Sequence, residues 1–340
     1  MREYNFEKYS KMTYEEKKNL NKSLYKDLTD RVNSFSENVD SYKEALIDYG
    51  SFDNYSMYNR MLLRDQLKMK NKMYEVPVFK TFNEWKKEDV MLKKGSKSYA
   101  IITPIKVEKY KEGNNWVNIT SKNRDMVKEN NYDTKIFTNF QLKNCAFHIS
   151  DTNATQKILD IGQSNYYTID KNNEESLKNF YESIKRAIDG KYRIVENKNM
   201  LPNIGGSCTK APREGYVIEL NSNSTSAMKI NTLFHEIAHV ELDHLDSRNS
   251  IDNNTKELEA ESTAFLFSSK FGIDTEISFK YLNGYGGETK SLNSIFNNVF
   301  NATQKIEDKF MASIVENINE RDVNQNQVID INEENTLFEM

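Results

Sequence analysis

From Thr13 onward apolar residues recur at helical spacing. Leu20, Leu24, Leu28, Val32, Phe35 and Val39 lie three or four positions apart, behind a Thr13–Glu16 pair with capping-box spacing. A long amphipathic helix is predicted to open the chain. After the turn-like GSFDN, the run YSMYNRMLLRDQLKMKN reads as a second helix, which Pro77 interrupts. VPVFK is a short strand, and a second capping pair, Thr81 and Glu84, starts the helix that carries Trp85. The strand SYAIITPIKVEKY then turns at EGNN and returns as WVNIT.

The stretch SKNRDMVKENNYDTK has little apolar periodicity and reads as a loop or linker, before KIFTNFQLKNCAFHIS resumes strand character. A helix over about Glu175–Asp189 puts Leu177, Phe180, Ile184 and Ile188 on one face and closes at Gly190. YRIV and YVIEL are strands. Helices are predicted over Ser226–Leu245, from near Asn254 to before Gly272, and from about Ser291, the last burying Leu292, Ile295, Val299, Ile306, Phe310 and Ile314. The pattern describes an α+β protein of two domains, residues 1–125 and 136–315, with an acidic, Asn-rich and frayed tail over 316–340. No repeat of fixed period occurs, which removes solenoid folds.

Composition narrows the picture. Of 340 residues, 37% are hydrophobic and 29% charged, enough apolar material for two cores in a soluble chain. The two cysteines, Cys145 and Cys208, form no CxxC pair, which excludes a disulfide framework and a cysteine zinc knuckle and fits a reducing compartment. The N-terminus has no apolar signal region and no membrane-spanning apolar run appears, so the cytoplasm is the expected location. The net charge of −4 conceals a basic segment: between Ser51 and Tyr110 thirteen Lys and Arg face seven Asp and Glu. This is either a solvated lysine surface or a nucleic-acid face.

The candidate chemistry sits in LFHEIAHVELDH, which holds three of the four histidines. On a helix His235 and His239 differ by about 40° around the axis, so both imidazoles can reach one tetrahedral zinc ion, with Glu236 beside them to hold a water. A third protein ligand is then needed. His244 would lie about 140° from His239 on the same helix, and VELDHL lacks the glycine turn by which metzincins reach a third histidine. His244 is therefore read as solvent-facing or capping. The carboxylates of KELEAESTAFLF are the other source: Glu257 and Glu261 share a helix face, so one can ligate while the other accepts a hydrogen bond from a ligand imidazole. Glu259 faces away from that pair. Ala260 and Ala264 are small enough to let the two helices approach closely.

These residues resemble a family. LFHEIAHVELDH followed by ELEAESTAFLF is similar to the zincin-like domain of ImmA/IrrE metallopeptidases and of ArdC antirestriction and LtrC-like proteins of plasmids and phages. YSMYNRMLLRDQ with VPVFKTFNEWKKEDVMLKKGSKSYAIITP resembles the ArdC-type N-terminal domain. CAFHISDTN resembles the strand that leads from one domain to the other, although His148 stands where an acidic or amide residue is usual. The resemblance implies a single-stranded-DNA-binding domain coupled to a zinc-dependent, gluzincin-like peptidase domain. It selects Glu257 as the third ligand and Glu261 as the outer residue that supports an imidazole.

Two functions follow from different classes. In the first, zinc held by His235, His239 and Glu257 activates water, Glu236 is the general base, and YVIEL is an edge strand that aligns an extended protein substrate, such as a repressor or restriction-type protein. In the second, the chain is a non-catalytic antirestriction protein that coats single-stranded DNA and uses its zinc domain as a scaffold. Lys80, Lys86, Lys87, Lys93, Lys94 and Lys97 would meet phosphates, and Phe79, Phe82, Trp85 and Tyr99 would offer rings, although Phe82 and Trp85 at this spacing are expected to be at least partly buried. Peptide deformylase shares HExxH but needs a cysteine ligand in a glycine-containing motif, and neither cysteine occupies one.

Overall fold

A computed structural model describes residues 6–52, 54–72, 77–154, 169–170, 172–211, 215–246, 250–273 and 291–318. Pro77 is buried and non-helical, and the helix predicted before it already ends at Met69; the tail beyond residue 318 lies outside the described residues. No described helix is long and apolar enough to cross a membrane. The chain divides into two compact units, one from Met1–Asp30 with Tyr58–Leu159, the other from Arg31–Met57 with Asp160–Met340.

The opening helix α1 (Tyr14–Ser34) begins at the capping box read from the sequence: Thr13 N–H donates to Glu16 Oε2 at 2.7 Å, and Glu16 N–H to Thr13 Oγ1 at 3.3 Å. It stops earlier than predicted. A 3-10 turn at Phe35–Glu37 follows, and Asn38, extended at φ −154°, caps a new helix α2 (Val39–Gly50) by accepting from Ser41 N–H. α2 is part of the second unit. Its Tyr42 ring lies 5.0 Å from that of Phe296, and the Tyr42 hydroxyl is 3.0 Å from Ser262 Oγ.

In the first unit, α3 (Met57–Met69) borders an antiparallel sheet of order β1-β4-β2-β3, built from β1 (Phe79–Thr81), β2 (Tyr99–Glu112), β3 (Asn115–Asn118) and β4 (Thr134–His148). A strand edge leaves backbone groups open to unwanted pairing. Two carboxamides of α3 close that edge of β2. Gln66 accepts from Ala100 N–H at 2.8 Å and donates to Ala100 O at 2.9 Å, and Asn59 does the same at Ile102 with 2.7 and 2.9 Å. Between β1 and β2, Thr81 and Glu84 form the second capping box, of α4 (Phe82–Lys87), and place Trp85 in a core with Val90 and Ile149. The Trp85 indole N–H donates to Phe147 O at 3.1 Å.

The far halves of β2 and β4 form a long ribbon on which Ile136, Phe140 and Trp116 are exposed. Because β4 pairs with β2 from Thr134 onward, residues 136–148, assigned from the sequence to the second domain, build the sheet of the first unit. The polar stretch taken as a linker connects two strands of that one sheet. It also holds a short helix α5 (Arg124–Glu129), anchored by the buried Val127.

The second unit packs α6 (Glu174–Ile188) and two longer helices, α7 (Ser226–Glu241) and α8 (Asn253–Ser269), around a three-stranded sheet. The sheet consists of β5 (Tyr192–Asn197), β6 (Gly206–Ala211) and β7 (Gly215–Asn221), in the order β5-β7-β6. β7, expected to be the edge strand, is central: it pairs in parallel with β5 and antiparallel with β6. β6 escaped the sequence reading because GSCTKA is small and polar, without the β-branched alternation that marks a strand. A further helix, α9 (Leu292–Ile306), continues through a π turn at Glu307–Met311 and buries the apolar stripe read from the sequence.

At the end of α7 the carboxylate of Glu241 is buried among Tyr192 Oη at 2.8 Å, Lys191 Nζ at 2.6 Å and Lys309 Nζ. Burial alone would raise its pKa, but these donors outweigh burial and hold the carboxyl below its ordinary value. A depressed folded-state pKa stabilises the fold above the unfolded-state value and loses that contribution as pH falls through the folded value. Glu241→Ala should therefore cost about 1–3 kcal/mol near neutrality, through the unpaired Tyr192 hydroxyl and the lost charged hydrogen bonds. Urea melts of wild type and variant should converge as pH drops below the ordinary carboxylate range. A gap that stays constant with pH would show that the contribution is not ionic.

Candidate metal centre

α7 starts at Thr225, whose hydroxyl accepts from Met228 N–H, with a further contact from Ser226 N–H to the Glu174 carboxylate. α8 starts at Asp252, which accepts from both the amide and the hydroxyl of Thr255. These caps fix where each helix begins and hence which turn carries each polar side chain. The facing turns bring His235, His239 and Glu257 together, with one ligand atom of each lying within 4.8 Å of the others.

The separations are 3.0 Å between His235 Nε2 and His239 Nε2, 3.3 Å from His235 Nε2 to Glu257 Oε2 and 3.6 Å from His239 Nε2 to Glu257 Oε1. Tetrahedral coordination at about 2.1 Å places ligand atoms about 3.4 Å apart. The observed triangle fits that size, and its donor set of two imidazoles and one carboxylate suits zinc and other first-row divalent ions. Side-chain exposure rises from 12% at His239 through 21% at His235 to 34% at Glu257, so the cluster opens toward solvent on the carboxylate side. The neighbouring imidazoles of His235 and then His239 hold the Glu257 carboxyl far below the ordinary range. Burial opposes the charge on His235, but its hydrogen bond to Glu257 and the charges of Glu236, Glu257 and Glu261 win, and its pKa is raised.

Glu236 is buried behind the cluster. Burial raises its pKa, His235 opposes and Glu257 adds to the rise, while the backbone N–H of Cys208 on β6 donates to the carboxylate. That contact requires the strand to lie very close to α7. A Cβ on Gly206 would meet Thr232 Cγ2 and Glu219 O at 2.7 Å each, so only glycine permits the approach. The Cys208 thiol, pushed up to about 12 by burial and the nearby Glu236 charge, stays protonated.

His244 departs in part from the sequence reading: its backbone closes the end of α7, but it is 6% exposed and its ring does not face solvent. α7 ends at Glu241, and Asp243 takes a left-handed φ of 57°. Asp243 N–H then donates to Val240 O at 3.1 Å and His244 N–H to His239 O at 2.9 Å, a Schellman turn that folds His244 back under the helix. The geometric argument failed because it continued the helix to Leu245. The missing glycine was no obstacle, since Asp tolerates the left-handed conformation through its short polar side chain.

The His244 ring is sandwiched between two partners. Its Nδ1 is 2.9 Å from His239 Nδ1, and its Nε2 is 3.0 Å from Oε2 of Glu259, which is fully buried. Asn298 of α9 donates to the other Glu259 oxygen at 2.7 Å. Glu259 does point away from Glu257, as read from the sequence, but into the protein. Glu261 is half-buried and adds charge at His235.

Of the lysines proposed for nucleic acid, Lys86, Lys87, Lys93, Lys94 and Lys97 are exposed at the surface of the first unit, and Lys93 Nζ donates to Ser150 O at 3.0 Å. The rings between them are not a stacking surface. Phe79, Trp85 and Tyr99 are core residues, and of the four only Phe82 is exposed. A more open aromatic and basic surface lies on the ribbon, where the pairings Lys109↔Lys135, Val107↔Phe137 and Lys111↔Trp116 place these side chains on one face. The Trp116 and Phe137 rings are 5.2 Å apart edge to face, and Lys109 and Lys135 stand over Phe137 at 4.9 and 5.7 Å. Sequence reading missed this face because its members come from three strands whose register is not visible in the chain.

Residues 14–140 match the N-terminal domain of anti-restriction factor ArdC, and residues 173–305 match the IrrE N-terminal-like domain of the M78 peptidases. The chain thus carries an ArdC-type N-terminal domain followed by an M78-type domain. It is 24% identical over 293 residues to an uncharacterized protein of Bacillus anthracis, covering 82% of this chain but spanning about half, 49%, of that relative. Among solved structures it is similar to the antirestriction protein ArdC from R388 plasmid. The metal-free form has 16% identity and a TM-score of 0.44, the Mn(II)-bound form 14% and 0.37, each covering 86% of this chain and 97% of the other.

The Asp243 turn generates a prediction. Asp243→Gly should preserve stability, because glycine adopts the same backbone without strain, whereas Asp243→Val should cost about 1–2 kcal/mol from a β-branched residue in the left-handed region. Urea denaturation measures both. A valine variant as stable as wild type would remove the turn as the cause of the His244 placement.

Proposed function

We propose that the chain is a zinc-dependent metallopeptidase of antirestriction type, encoded by a plasmid or phage, whose first domain binds single-stranded DNA and whose second hydrolyses a peptide bond in a protein partner. The observation that carries the peptidase reading is the His235–His239–Glu257 triangle, of the size tetrahedral coordination needs, with Glu236 buried beside it. Zinc held there would supply a Lewis acid able to lower the pKa of water and polarise a carbonyl. His235 and His239 present Nε2 to the ion and Glu257 contributes one negative charge. Glu236 takes the proton as general base, and its raised pKa brings it nearer the working range of such a group. Glu261 supports the cluster electrostatically through His235. β6 is an edge strand of the described sheet, and it is the strand next to Glu236, so it replaces β7 as the strand that aligns an extended substrate.

Glu257→Ala should abolish stoichiometric zinc, measured by metal analysis of the purified chain. Glu236→Gln should keep zinc and lose peptide hydrolysis by at least the ~10²–10⁴-fold of a missing general base. Candidate repressor or restriction-type proteins are the substrates to assay. Zinc retained in Glu257→Ala would overturn the ligand set. Equal activity in Glu236→Gln and wild type would overturn the catalytic role and leave a scaffold that binds DNA without hydrolysis.

The ribbon face supports the nucleic-acid reading: Trp116 offers a ring to bases while Lys109, Lys111 and Lys135 offer charge to phosphates. Lys86, Lys87, Lys93, Lys94 and Lys97 extend the positive surface. In binding assays of the full chain with labelled oligonucleotides, affinity should fall steeply with salt. Trp116→Ala should cost about 1–3 kcal/mol at every salt concentration, as a lost stacking contact does, whereas Lys109→Glu with Lys135→Glu should flatten the salt slope. Binding absent at low ionic strength would sink the reading.

A further inference from the structure

We propose that Glu259 and His244 form a positioning relay that fixes the tautomer and orientation of His239. The inference rests on the reading of His235, His239 and Glu257 as a metal site. The argument follows protons from the deepest group outward. Glu259 has both oxygens engaged: Asn298 Nδ2, which can only donate, lies 2.7 Å from Oε1, and His244 Nε2 lies 3.0 Å from Oε2. A carboxylate in that position accepts, so the His244 proton resides on Nε2. In the neutral ring Nδ1 is then a bare lone pair.

That lone pair faces His239 Nδ1 at 2.9 Å, so His239 Nδ1 is the donor. Its remaining nitrogen, Nε2, is left unprotonated where it meets His235 Nε2 and Glu257. An unprotonated imidazole nitrogen aimed at the cluster is what a ligand must present. A protein that holds it so before metal arrives removes a tautomeric and rotational choice from binding. Direction follows from donor chemistry as well as distance: Glu259 accepts on both oxygens, His244 donates from Nε2 and accepts at Nδ1, and His239 donates from Nδ1. Three helix segments hold the chain in place: His239 from α7, Glu259 from α8 and Asn298 from α9, with His244 delivered by the turn at Asp243.

A merely structural polar cluster would stabilise the unit without controlling a proton, and the test separates the two. Nitrogen-15 spectra of the histidine rings are recorded on the full chain freed of metal by a chelator, and Zn²⁺ affinity is measured by competition with a chromogenic chelator. In the wild type His239 should carry its proton on Nδ1. His244→Asn, which keeps an acceptor near the same place, should preserve that tautomer. His244→Phe, which fills the space without an acceptor, should give a mixture and weaken Zn²⁺ binding about 10- to 100-fold. Glu259→Gln should fall between them.

A wild-type His239 protonated on Nε2 overturns the proposal without any variant, and so does a folded His244→Phe chain with unchanged Zn²⁺ affinity. Because the tautomer is read without metal, a wild-type chain that binds no Zn²⁺ would refute the metal reading while the spectra still decide the relay.

Discussion

A carboxylate with no exposure to water sits where α7, α8 and α9 meet, and the second unit is arranged around satisfying it. Burying an ionised Glu259 unpaired would cost several kcal/mol, so the fold must bring donors to both of its oxygens. One is Asn298 and the other is His244. Each demand propagates. Asn298 fixes the register of α9 against α8, and His244 can arrive only if α7 stops at Glu241 and reverses at Asp243. The same helix α8 that turns Glu259 inward turns Glu257 toward the mouth of the cluster, two residues earlier and about 200° around the axis. One helix therefore holds both the outermost and the innermost carboxylate of the site. Buried Ala260, Ala264, Ser262 and Thr263 keep that helix slim enough for neighbours to close on it from several sides.

Much of this was legible in the chain, and what was not shares a cause. The pair His235 and His239, both capping boxes and the apolar stripes of α6 and α9 are local patterns; helical period also put Glu257 and Glu261 on one face, but the choice of Glu257 came from the family resemblance. The His244 placement depended on one backbone angle at Asp243, which a residue type permits but does not announce. β6 and the ribbon face depended on pairing between segments far apart in sequence, and GSCTKA carries no pattern of its own because its requirement is closeness to Thr232 and Glu219 rather than hydrophobicity. The membership of α2 in the second unit rests on Tyr42 meeting Ser262 and Phe296, partners more than two hundred residues away. The lysine-rich segment was visible as charge, but its rings were not separable into core and surface until Trp85 was seen bonded to Phe147.

The first unit solves a different problem. A ribbon of β2, β4 and the short β3 with apolar side chains exposed on both faces is prone to pair with other chains. Its root is protected where Asn59 and Gln66 occupy the free edge of β2. Farther out, protection comes from lysines placed among the rings: Lys109 and Lys135 lie against Phe137 and deter the approach of a second, equally positive ribbon. The same arrangement welcomes a polyanion with flat apolar groups. Solubility and the proposed nucleic-acid affinity would thus be two consequences of one charge pattern, and substitution toward neutrality would weaken both.

The two carboxylates nearest the imidazoles are pushed in opposite directions, an asymmetry that matches the separate roles proposed for them. Glu257 lies 3.3 Å from His235 Nε2 and 3.6 Å from His239 Nε2 and is held strongly ionised, the state that metal ligation would require. Glu236 is adjacent to His235 in sequence, yet burial dominates its balance and raises its pKa, the state from which a proton can be accepted and returned. The difference originates in what stands opposite each side chain. Glu257 meets imidazoles at the solvent side, whereas Glu236 faces β6, which offers a single backbone N–H from Cys208. That strand reaches it only because residue 206 has no side chain, so the basicity of Glu236 is set in part by a glycine thirty residues upstream, through the closeness of strand and helix rather than through any charge.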